Sequence, residues 1–181
     1  METVLSRLQT ICERDKDFPA LTLFRDGGVN RTFSYGEMYR LIGRYALAFQ
    51  QREISQGDVV LLFVPQGIDA IAAFWGAMLI GAIPSFMPSQ TERQDPKLFW
   101  QKHEQLWKRI KVKLIVTTKE SAQTIEQYAS GHTTAIFQIE DLTTKNEAVE
   151  CFSAKPEELA LLQHSSGTKK MKKGVMLSHG A

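Results

Sequence analysis

A chain of 181 residues, 43% hydrophobic and 23% charged, has the size and composition of one ordinary globular domain that can bury a real core. Its 22 Lys and Arg against 20 Asp and Glu leave a net charge of +2, without the basic excess of a nucleic-acid binder. The four histidines (His103, His132, His164 and His179) show no metal-ligand spacing, and Cys12 and Cys151 form no C-x-x-C pair, so the thiols read as reduced packing residues of a cytoplasmic protein.

The first 17 residues are mixed in charge and lack the apolar core of a secretory signal. They predict an amphipathic helix with Val4, Leu5, Leu8 and Ile11 on one side. Leu21 to Phe24 predicts a strand, Gly27-Gly28 a turn, and Arg31 to Phe33 a returning strand. Ser34 and Glu37 stand at the spacing of a capping box, in which the hydroxyl bonds the amide three residues on and the carboxylate reaches back. Met38, Leu41, Ile42, Tyr45 and Phe49 follow at helical spacing. VVLLF, Val59 to Phe63, predicts a strand buried on both faces.

Ala70 to Met87 runs 18 residues without a charge, long enough to raise a membrane span. Gly76, Gly81 and Pro84 interrupt it and no basic flank anchors it, so a buried helix over 68–80, a turn at Gly81 and a strand over 83–87 fit better. Asp95-Pro96 predicts an N-cap with proline in the first turn, followed by a helix with Phe99, His103, Leu106, Trp107 and Ile110 on one face and Trp100 off it. Strands over 113–118, 134–138 and 159–163 and a helix over 120–129 complete the order, with 141–154 as loop. Strands alternating with helices predict an α/β fold: a mostly parallel sheet with helices on both faces.

After Leu159–Gln163 comes His-Ser-Ser-Gly-Thr-Lys-Lys-Met-Lys-Lys-Gly. The carboxyl end of a strand is where α/β sheets bind ligands. Small residues admit backbone amides to an anion, Ser165, Ser166 and Thr168 add hydroxyls, and Lys169, Lys170, Lys172 and Lys173 add charge. These parts suit a polyphosphate. They do not match G-x-x-x-x-G-K-[ST], since Lys172 stands five residues after Gly167. The competing reading from composition is a solvated basic surface loop.

HSSGTKKMKKGVMLSHGA resembles the phosphate-loop signature of the acyl-adenylate-forming superfamily: AMP-dependent acyl-CoA synthetases, peptide-synthetase adenylation domains and luciferases. Ser165, Ser166, Gly167, Thr168, Lys173, Gly174 and Val175 match it. FSYGEM (Phe33 to Met38) and GAMLIGAIPSFMP (Gly76 to Pro88) resemble two earlier family segments, in family order. LSHGA resembles the short strand and helix start that follow, with His179 at the usual histidine. Two departures stand inside the loop. Lys169-Lys170 replaces the usual Thr-Gly, where a positive φ would cost lysine roughly 1–2 kcal/mol, and Lys172 stands where proline is common.

The resemblance implies a two-step ligase. A carboxylic acid attacks the α-phosphate of ATP, with Mg2+ present, and a thiol such as coenzyme A or a phosphopantetheine carrier takes the acyl group. It implies a phosphate and ATP cradle of Ser165, Ser166, Gly167, Thr168, Lys173 and Gly174, with Lys169, Lys170 and Lys172 as further candidates. His164 and His179 then support packing or the loop rather than catalysis. The relatives place the magnesium carboxylate, acyl pocket and lid downstream of this loop. Residues 1–181 therefore read as part of the N-terminal domain, without the C-terminal lid domain and inactive alone. Whether the chain is itself an enzyme stays open at this stage, as does completion by a second chain. The alternative is a non-catalytic truncated remnant or partner-docking module. No nucleic acid and no membrane span are expected.

Overall fold

The computed structural model describes residues 2–24, 28, 30–88, 90, 94–129, 134–143, 145, 148–164 and 174–180. In chain order these form α1 (Val4–Arg14), β1 (Pro19–Leu23), β2 (Arg31–Ser34), α2 (Tyr35–Gln50), β3 (Val59–Phe63), α3 (Ile68–Leu79) and β4 (Ile83–Phe86). Then follow α4 (Pro96–Ile110), β5 (Val112–Thr117), α5 (Lys119–Ala129), β6 (Ala135–Gln138), a short 3-10 turn at Ile139–Asp141, β7 (Leu159–His164) and β8 (Gly174–Ser178).

Four strands make one parallel sheet in the order β4-β3-β5-β6. Strand β3 shows why it must be buried twice. Val60 and Leu62 point into a core with α2 and α3, against which α1 packs, while Leu61 and Phe63 point into a second core with α4 and α5. Side chains alternate across a strand, so an unbroken apolar run feeds both layers. The sheet is covered on both faces, and the fold is α/β as the alternation predicts.

Local chemistry sets the helix ends. The Ser34–Glu37 capping box is present, with the Glu37 amide donating to Ser34 Oγ and the Ser34 amide to the Glu37 carboxylate. Asp95 caps α4 by accepting from the Leu98 amide at 2.8 Å, with Pro96 in the first turn. Gly81 takes φ +77° in the turn before β4, a conformation that strains any residue with a Cβ. Gly76 lets α3 close on α2, because a Cβ there would lie 2.8 Å from Tyr45 Cβ and 3.0 Å from the Ala46 nitrogen.

Three expectations need correction. The buried face of α1 is Leu5, Leu8 and Cys12, while Val4 is exposed and Ile11 half-buried. Trp100 does not lie off the core. It is buried, with its ring stacked on Tyr128 and tilted against Phe63. It stands three and seven residues before His103 and Trp107, a spacing that puts it on their face of α4, and its ring meets both. Finally, β7 is not a strand of the parallel sheet. It pairs antiparallel with β8 in a separate hairpin that lies alongside β4. A short apolar run after helix-strand alternation looks the same in either role, and only its partner decides. No helix among the described residues is long and apolar enough to cross a membrane.

Candidate functional site: the mouth of the β7–β8 hairpin

The loop residues Ser165, Ser166, Gly167, Thr168, Lys169, Lys170, Lys172 and Lys173 lie outside the described residues. The two positions that frame them do not. His164 ends β7, Gly174 opens β8, and the two are cross-strand partners. The chain from 165 to 173 therefore leaves and returns through one residue pair.

The mouth stands beside the carboxyl edge of the parallel sheet. Ser85, one residue before the end of β4, has its Oγ 2.8 Å from His164 Nδ1, and the two share a hydrogen bond. Ser85 has no exposed surface. At the same edge Thr117, at the end of β5, donates its hydroxyl to the Phe63 carbonyl at 3.2 Å. The strand order reverses between β3 and β5: the connection leaving β3 packs α3 into one core, and the connection leaving β5 packs α5 into the other. Neighbouring strands whose connections diverge in this way leave a crevice at their carboxyl ends, the usual ligand position in open α/β sheets.

The opposite end of the hairpin is sewn down by backbone bonds. The His179 amide donates to the Glu158 carbonyl at 2.9 Å, and the Gly180 amide to Pro156 at 2.9 Å. The Val4 amide donates to the His179 carbonyl at 3.0 Å, which satisfies one of the orphan donors of α1. The His179 ring is buried, and burial lowers its pKa although Glu158 pulls the other way. Its Nδ1 has no hydrogen-bond partner among the described residues. The described residues after β8 form a turn at 179–180, and Ala181 lies outside them.

Sequence reasoning missed Ser85. Its signal was a lone hydroxyl on an otherwise apolar strand, Ile83-Pro84-Ser85-Phe86, where alanine would pack as well. A buried hydroxyl calls for a partner, and the partner is ~80 residues away in sequence, beyond the reach of any local pattern. Among the described residues no group of three His, Cys, Asp or Glu is placed to hold a metal ion.

Residues 8–181 match the family model described as AMP-binding enzyme. The chain belongs to that family. The 4-coumarate–CoA ligase of Pinus taeda is 26% identical over 95% of this chain, and that of Narcissus pseudonarcissus 29% identical over 85%. These matches span 33% and 29% of the two ligases, so the chain spans about a third of the length of these AMP-binding relatives. Among solved structures, a fatty acyl-adenylate ligase from L. pneumophila in complex with acyl adenylate and pyrophosphate superimposes with a TM-score of 0.81 at 21% identity, over 98% of this chain and 30% of that one. A Klebsiella oxytoca N-terminal subdomain gives 0.78 at 16% identity, over 99% and 42%. Identities this low establish the shared fold.

Proposed function

We propose that residues 1–181 are the N-terminal part of an ATP-dependent carboxylic-acid-activating ligase, and that residues 164–174 form its phosphate loop. The observation that carries this reading is the family match running through the loop from residue 8 to 181. The CoA ligases among the relatives and the adenylate and pyrophosphate bound in the Legionella neighbour support the same chemistry.

In the proposed reaction the substrate carboxylate attacks the α-phosphate of ATP. The acyl-adenylate forms and pyrophosphate leaves; a thiol, on coenzyme A or a phosphopantetheine carrier, then displaces AMP. The part of this chain is to bind and orient. Amides and hydroxyls of Ser165, Ser166, Gly167 and Thr168 hold the β- and γ-phosphates, Lys173 offsets their charge, and Gly174 leaves room where the loop rejoins β8. Lys169, Lys170 and Lys172 add to the attraction. The carboxylate that holds the magnesium in this proposal lies downstream of the loop, as in the relatives. The cytoplasm is the proposed compartment, in keeping with the free thiols of Cys12 and Cys151.

Calorimetric titration of the 181-residue chain with ATP and with pyrophosphate tests the binding half. We expect weak saturable heats, with affinity about tenfold lower in Lys173→Ala, the size of one charge-assisted contact. No heat up to millimolar ligand removes the claim. Acid-dependent ATP–pyrophosphate exchange is expected to be absent from the isolated chain, and robust exchange contradicts the assignment of the remaining machinery elsewhere.

One observation favours a second reading, that of a module docking on a second chain. Phe86 on β4 and Val175 and Met176 on β8 are large apolar side chains left exposed. Sedimentation showing a monomer at all concentrations counts against it.

A further inference from the structure

We infer that Ser85 and His164 are a positioning pair that fixes the mouth of the 165–173 loop against the parallel sheet and thereby sets its polyphosphate affinity, without touching the phosphates. The affinity half rests on the proposed phosphate-loop reading, and the positioning half stands on geometry alone.

The hairpin that carries the loop is joined to the parallel sheet by no backbone ladder among the described strands. β4 is the edge strand next to it, and Pro84 removes a donor from that edge. The Ser85–His164 bond supplies a tie where the ladder does not. It sits at the end of the hairpin that matters, because His164 is the last residue before the loop and the partner of Gly174, the first residue after it. The imidazole Nδ1 meets Ser85 at 2.8 Å, and the ring's Nε2 side faces Gly174, where an added Cβ would stand 3.6 Å away. The ring thus ties β4 to the exit of β7, opposite the entry of β8. A hydroxyl can donate to Nδ1 or accept from it, so the tie fits either tautomer of the ring.

The two ring nitrogens make the inference testable by substitution. Asparagine places a polar atom near the Nδ1 position, and glutamine reaches instead toward Nε2. In the full 181-residue chain, amide hydrogen exchange of Gln163 and Val175 is expected to rise about tenfold in Ser85→Ala and in His164→Gln, the effect of one lost hydrogen bond. His164→Asn and Ser85→Thr are expected to remain within about twofold of the parent, since each keeps the polar atom that makes the bond. The amides of Leu62 and Ile115 in the central strands are expected to stay protected in all four, which reports that the body is folded. If Ser85→Ala unfolds the body, the Gln and Asn variants of His164 decide. Pyrophosphate affinity, read by calorimetry, is expected to fall in the same two variants that loosen the mouth.

Unchanged exchange in Ser85→Ala, or an Asn variant that behaves like the Gln variant, overturns the pair. A loosened mouth with unaltered pyrophosphate affinity overturns its role in binding. If the parent binds no pyrophosphate, the phosphate-loop reading fails, while the exchange comparison still judges the tie.

Discussion

The parallel sheet and the β7–β8 hairpin are built on opposite economies of burial. In β3 and β5, Val60, Leu61, Leu62, Leu114, Ile115 and Val116 have no exposed surface and feed two separate cores. In the hairpin only Ala160 is fully buried, and β8 opens with three exposed residues. The hairpin holds through its own ladder, through backbone bonds at its base and through Ser85 at its mouth. Segments with few buried apolar contacts open at lower free energy than the core, and binding loops are drawn from that end of the scale. The rigid part of this chain therefore serves as the base against which a less buried part presents the candidate phosphate site.

The comparison is sharpest where a substitution strikes the body. Phe137→Ala is expected to have the largest effect, about 3–5 kcal/mol. Its ring stands 6.1 Å from Tyr45 and 5.8 Å from Phe49, edge-on to both, with Arg52 at 4.5 Å over its face. Urea unfolding measures this, and a loss under about 1 kcal/mol means that the core collapses into the space. Gly76→Ala follows, at about 1–3 kcal/mol, because backbone atoms of Ala46 and Ile42 would stand 3.0 Å from the new methyl carbon and cannot turn aside like a side-chain tip.

Tyr45→Phe comes next, at about 1–2 kcal/mol, since the buried phenol donates to Asp69 at 2.8 Å and would leave that carboxylate short of a partner. The same phenol gives a pH test. Burial first, and then the nearby Asp69 charge, raise its pKa above the ordinary tyrosine value. Above about pH 10 the unfolded chain releases this proton while the folded chain keeps it. The unfolded state then binds fewer protons, so stability falls as pH rises through that window. The Phe variant is expected to show a shallower alkaline decline in the same urea titrations.

Much of the body is legible in the sequence because its signals are local. The Ser34–Glu37 box, the Asp95-Pro96 start and the doubly apolar β3 each carry their meaning within a few residues. Trp100 is legible by the same means, since it shares a helical face with His103 and Trp107, and Phe63 and Tyr128 complete its burial. The hairpin escapes such a reading: β7 has the composition of a sheet strand, and its true partner, β8, lies beyond the loop. Of the candidate site, the frame of His164 and Gly174 is described, and the family match reaches through the residues between them. The Ser85 tie needed three-dimensional proximity.

The smallest expected effect tests the hairpin side of the comparison. Met176 is 72% exposed on β8, so replacing it by glutamine removes little buried area and asks no polar group to give up water. Met176→Gln is expected to change stability by no more than about 0.5 kcal/mol in urea unfolding, as surface substitutions usually do. A larger destabilisation that grows with protein concentration means that the side chain is covered in solution by another molecule, and the face of β8 that carries Met176 is then an interface. A larger effect independent of concentration has a different meaning. The hairpin is then held to the body by more than its ladder, its base bonds and one Ser–His tie, and the division drawn between rigid base and lightly buried hairpin is wrong.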